Sequence, residues 1–161
     1  MQRKVTRYRI QTDKAVKPCT FALVCDLHGA PFDDLLEPLS HADAILIGGD
    51  LIDGYDQIYD GGLAFLREAV KLAPVYYAIG NHEGYDHPAR CSAYLAQAQA
   101  IGAKLLLNAY VQRDGYCIGG VTETPNFAML RRFERENGYI KFCFVIDRKR
   151  MRASRRGEIS I

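Results

Sequence analysis

Three short polar motifs each close an apolar run. Asp26-Leu27-His28 follows Phe21 to Cys25, Gly49-Asp50-Leu51-Ile52-Asp53 follows Ala44 to Gly48, and Gly80-Asn81-His82-Glu83 follows Val75 to Ile79. In an extended segment, side chains two residues apart point the same way, so Asp26 and His28 can grip one ion. Asp50 leaves a neighbouring strand and can set one carboxylate oxygen on each of two ions. Asn81 offers an amide oxygen to the second. Mixed oxygen and nitrogen donors suit Mn, Fe or Zn better than Ca alone. Two such ions about 3.5–4 Å apart can bind a phosphoryl group and lower the pKa of a bridging water. His82, next to a ligand, can stabilise or protonate a leaving group. Glu83 could fix its orientation, as carboxylates often do for working histidines. The pattern points to metal-dependent hydrolysis.

These residues need a scaffold that delivers strand ends to one edge. The chain reads as alternating strand and helix: strands at Arg7 to Gln11, Phe21 to Cys25, Ala44 to Gly48 and Val75 to Ile79, with helices near Phe32 to Leu39 and from about Gly62 to Leu72. Pro74 stops the second of these helices. Pro88 opens a further helix that runs to about Ile101, with Gly102 as its cap. Lys104 to Gln112 and Tyr116 to Val121 flank Asp114-Gly115, a hairpin turn signal. Phe127 to Asn137 reads as helix and Lys141 to Asp147 as strand. This order fits βαβ units and a parallel sheet, in which ligands bind beyond the carboxyl ends of the strands.

Hydrophobic residues make up 48% of the 161, enough for one domain with a real core and against extended disorder. No apolar run approaches the ~20 residues of a membrane span. The basic start has no apolar stretch behind it, so a secretory signal is not expected. Cys19, Cys25, Cys91, Cys117 and Cys143 are scattered, odd in number and never in a C-x-x-C pair, so thiols in a reducing cytoplasm are expected. The net charge of +2 hides an asymmetry: residues 141–161 hold seven Lys or Arg against Asp147 and Glu158, which leaves the rest mildly acidic. The expected division is a domain over 1–140 and a basic tail over 141–161.

The ordered triple D-x-H, G-D-x-x-D and G-N-H-E resembles the signature of the calcineurin-like metallophosphoesterase superfamily, over roughly Arg7 to Arg135. The resemblance implies an α/β fold, an αββα sandwich around a dinuclear site. It implies Asp26 and His28 on a first metal, Asp50 bridging, Asn81 on the second, and His82 at the leaving group. Asp53 corresponds to a supporting carboxylate. The implied activity is hydrolysis of a phosphomono- or diester by metal-activated water. The family also carries a later histidine and a G-H-x-H pair. This chain has only His28, His41, His82 and His87, so the second metal site and the C-terminal part of the sandwich are expected to be incomplete. A reading-frame change near Lys141 accounts for both the missing histidines and the basic tail. Codons allowed for residues 141–149, read two bases later, can encode a histidine-bearing strand, and the nucleotide sequence beyond Tyr139 decides it.

Simpler readings compete residue by residue. Asp50 alone would pass for a turn cap, and His82 for a hydrogen-bonded structural histidine; together with Asp26, His28 and Asn81 they favour a metal site. His41 reads as a surface or capping residue, His87 as a loop residue. Asp33 and Asp34 suit the positive end of a helix. Two other functional classes stay open: a remnant that takes up metal without turnover, and an anion- or nucleic-acid-binding protein acting through the basic tail. No nucleic-acid module is recognisable, and no aromatics interleave with the Arg run.

Overall fold

A computed structural model describes residues 3–11, 17–56, 58–85, 88–113, 116–120 and 143–144. Strands β1 (Phe21–Val24), β2 (Ala44–Ile47), β3 (Val75–Tyr77) and β4 (Lys104–Leu105) form one sheet in the order β1-β2-β3-β4, all parallel. Helices α1 (Asp33–Leu39), α2 (Asp60–Leu72), α3 (Asn81–Tyr85) and α4 (Pro88–Ile101) fill the crossovers. β5 (Ala109–Arg113), β6 (Tyr116–Gly120) and β7 (Cys143–Phe144) make a second sheet, with β5 antiparallel and β7 parallel to β6.

Sheet alternation divides the core in two. In β2 all four side chains are buried. Ile45 and Ile47, with Val75 and Tyr77 of β3, face Leu63, Phe65, Leu66 and Ala69 of α2. Ala44 and Leu46, with Tyr76, face the other way and meet Leu106, just beyond β4, and Ile118 of the second sheet. A strand buried on both faces reads as a continuous apolar run, as AILI does. The described layers are therefore helices, parallel sheet, second sheet, a mixed α/β arrangement. Each fully buried Leu, Ile or Phe contributes about 1.5–3 kcal/mol, so the helix-facing cluster dominates the stability.

Helix ends follow the sequence chemistry. α2 starts on Asp60 and ends with Lys71 in its last turn, charges that complement the helix dipole. Ala73 turns extended because it precedes Pro74. Gly102 takes φ +118° beyond α4, and the amides of Gly102 and Ala103 close back on Gln99 and Ala98.

Some expectations are corrected. Arg7 to Gln11 forms no strand: Tyr8 is 86% exposed, and no neighbouring strand among the described residues takes up the segment's hydrogen bonds. Alternating residues need a partner edge as well as a pattern. Lys104 to Gln112 is not one strand but β4 and β5, on different sheets. The chain turns between them at Asn108, whose φ is +51°. Helix α3 had no sequence signal, being only five residues long. The helix expected at Phe127 to Asn137, the Asp114-Gly115 turn and most of Lys141 to Asp147 lie outside the described residues. No helix among the described residues is long and apolar enough to cross a membrane.

Candidate metal centre

In the parallel register Val24 lies beside Ile47 and Ile47 beside Tyr77, so the carboxyl ends of β1, β2 and β3 are flush. The chain then turns abruptly. Asp26, His28 and Asp50 take φ of +55°, +50° and +55°, which leaves Asn108 as the remaining described non-glycine residue in that region. Such backbone costs on the order of 1–3 kcal/mol per residue and collects at functional sites. The two turns brace each other: the amide of His28 donates to the Asp50 carbonyl at 3.0 Å and that of Gly29 to the Leu51 carbonyl at 2.8 Å.

The result is two overlapping donor clusters. Asp26, His28 and Asp50 bring ligand atoms within 4.8 Å of one another, and so do His28, Asp53 and His82. The His28 and His82 rings stand 4.3 Å apart, tilted by 67°. Asn81, the expected ligand of the second ion, heads α3, and the amide of His82 donates to Asp50 Oδ1 at 2.8 Å. Asp50 is buried, and burial pushes its carboxyl above the usual range, with the charges of Glu83 and Asp26 adding to the effect. Nδ1 of His28 and Nδ1 of His82 are buried with no hydrogen-bond partner. His82 Nδ1 does approach Asp53 Oδ1 to 3.2 Å, close enough for an ion pair but off hydrogen-bond alignment. Unmatched buried imidazole nitrogens beside three carboxylates are what a divalent cation satisfies, so the donor set fits a metal. His41 lies apart, exposed just beyond the end of α1, 3.2 Å from Glu37.

The two supporting carboxylates hold places that their motif positions did not indicate. Glu83 was expected to orient His82, yet it turns away from that ring. Its buried Oε1 accepts from the Leu51 amide and the Tyr77 hydroxyl, and Oε2 from the amides of Asp50 and Gly80. Glu83 thus ties the Asp50 loop to the Gly80 loop. Tyr77 stays a neutral donor because burial, then the Glu83 charge, drives its hydroxyl well up. Asp53 is the carboxylate beside His82. Its own Oδ1 accepts from the amides of Tyr55 and Asp56, and the Asp56 bond leads in holding its carboxyl below the usual range.

Gly80 passes so close to Asp50 that a Cβ there would overlap the Asp50 carboxyl group and backbone nitrogen. Gly80→Ala is expected to cost about 1–3 kcal/mol in a denaturation curve and to weaken Mn binding with it. A variant with unaltered stability and metal affinity would show that the loops have room to part.

The calcineurin-like phosphoesterase family model matches residues 19–149. The chain belongs to this family. Its match takes in every donor named above as well as β7. No curated protein matches the sequence. A solved structure, the phosphopantetheinyl hydrolase of Mycobacterium tuberculosis, is similar at 15% identity and a TM-score of 0.44, over 74% of this chain and 51% of that one. This calcineurin-like phosphoesterase chain therefore spans about half the length of that protein.

Proposed function

We propose that the protein is a metal-dependent phosphoesterase that hydrolyses a phosphomono- or diester. The observation that carries this reading is the orphaned buried Nδ1 of His28 in a cluster with Asp26 and Asp50 at one sheet edge, with His82 and Asp53 paired beside it. Asp26, His28 and Asp50 would hold a first ion. Asp50 and Asn81 would contribute to a second. Divalent ions of the Mn, Fe or Zn type, when bound, supply Lewis acidity toward phosphoryl oxygens and activate water. His82 faces the departing group and stabilises or protonates it, and Asp53 holds the imidazole. Glu83 acts one step back, through the loops. Residues 1–140 are read as the phosphoesterase portion. The proposed basic tail, 141–161, contains β7, which pairs with β6. The scattered cysteines favour a reducing cytoplasm; none of Cys19, Cys25, Cys91 and Cys117 forms a disulfide.

Added Mn should switch on hydrolysis of a chromogenic aryl phosphodiester, and a chelator should switch it off reversibly. A second reading, metal uptake without turnover, is favoured by the small imidazole supply: the described donor clusters draw on His28 and His82 alone. Calorimetric Mn binding with no Mn-dependent hydrolysis of aryl mono- or diesters would establish that second reading. Absence of both would refute the metal site.

A further inference from the structure

Among the described residues that follow Asp53, from Gly54 to Ile58, none belongs to either donor cluster, yet hydrogen bonds brace the segment. Asp53 and Ile58 exchange backbone hydrogen bonds at 3.2 and 3.0 Å, closing a small bridge, and Asp53 Oδ1 takes the amides of Tyr55 and Asp56 inside it. The loop presents two large apolar side chains to solvent, Tyr55 at 65% exposure and Ile58 at 44%. Each stands over one histidine's part of the site. The Tyr55 ring lies 4.9 Å from the His82 ring at 89°. Ile58 covers Gly29, next to His28, so closely that a Cβ on Gly29 would overlap it. A single exposed apolar side chain needs no explanation. Two of them, one against the His82 ring and one against Gly29, put apolar surface at the rim of a polar donor cluster.

We infer that Tyr55 is a specificity-determining residue that stacks against a flat aromatic leaving group. This rests on the proposed phosphoesterase reading, in which the leaving group departs past His82. A substrate whose phosphoryl group sits among Asp26, His28 and Asp50 would bring that leaving group against the Tyr55 ring, with Ile58 continuing the surface. The substrate class so selected is phosphate esters of aryl or nucleobase-bearing alcohols, over esters of small alkyl alcohols. Stacking is tolerant of ring identity, so this surface selects flatness rather than a particular ring.

The test compares phenylphosphonate with methylphosphonate by calorimetry on the Mn-loaded protein, and benzyl with methyl phosphodiesters, whose leaving alcohols are nearly equal in acidity, by kcat/KM. The native chain should favour the aryl member roughly tenfold, the scale of one stacked ring. Tyr55→Ala should erase that preference, mainly through Kd and KM, while Tyr55→Phe keeps it. Tyr55 is mostly exposed, so the thermal midpoint of both variants should stay close to that of the native chain. Equal affinity for the two phosphonates, binding of neither, or an aryl preference that survives Tyr55→Ala would overturn the inference. An aryl preference in binding without any hydrolysis would sustain it and count against the phosphoesterase reading instead.

Discussion

Glu83→Ala should lower stability by about 4 kcal/mol, because it strips four buried donors of their acceptor and each such group costs about 1–3 kcal/mol. The donors are the amides of Asp50, Leu51 and Gly80 and the hydroxyl of Tyr77. For a chain of this size the thermal midpoint should drop by about 10 °C. Glu83→Gln keeps the shape and one acceptor oxygen but sets an amide NH2 against donors, so it should lose about half as much. Tyr77→Phe removes a single donor and should cost about 1–2 kcal/mol. The ranking matters more than any one value, since it follows from counting bonds on one carboxylate. Had Glu83 acted only by orienting His82, all three variants would melt near the native midpoint and differ in turnover alone. A Glu83→Ala midpoint within about 2 °C of native would therefore sink the account of two loops tied by one carboxylate.

Asp50→Asn should have the opposite signature. Mn affinity should fall about 100-fold or more, at or beyond the loss that removing an outer support causes, and Mn-dependent hydrolysis should vanish with it. Stability without metal should not suffer. The ionised Asp50 carboxylate is disfavoured by burial and by the neighbouring Glu83 and Asp26 charges. An Asn side chain removes that cost and retains an oxygen for the His82 amide. Excess Mn should raise the native midpoint, by linkage to binding of the folded state, and leave that of Asp50→Asn where it was. Equal midpoint gains in both proteins would mean that Mn binds elsewhere.

Much of this arrangement was legible in the residue order, for a physical reason. Phe21 to Val24, Ala44 to Ile47 and Val75 to Tyr77 are apolar enough to be buried, and each is followed by a polar turn. Parallel crossovers leave such turns at a common edge, so Asp26, His28, Asp50 and Asn81 could be assigned to it before any coordinates. Side-chain direction was less accessible. Glu83, expected to orient His82, bonds the Asp50 and Gly80 loops and the Tyr77 hydroxyl instead, and Asp53, expected as a supporting carboxylate, is the one beside the His82 ring; local pattern does not encode that packing. Arg7 to Gln11 has strand-like alternation, but pairing depends on a distant edge. The corner at Asn108 needed only one residue to tolerate a left-handed backbone, a weak signal inside a β-prone run. No motif singled out Tyr55; its position beside His82 goes with the bridge from Asp53 to Ile58.

The strand order β1-β2-β3-β4 also bears on how the site is first made. Each strand pairs with the one synthesised just before it, and Asp50 meets His82 across only 32 residues of chain. The entropic cost of closing a loop grows only slowly with its length, so a crossover of this size adds little to that cost. The donor-bearing edge can then take shape as the chain grows, with β1, β2 and β3 in place before β5 and β6 exist. The two halves of the fold thus enter the site differently: the donor-bearing edge comes from neighbouring βα units, and the second sheet covers the face of β2 and β3 that Ala44, Leu46 and Tyr76 present.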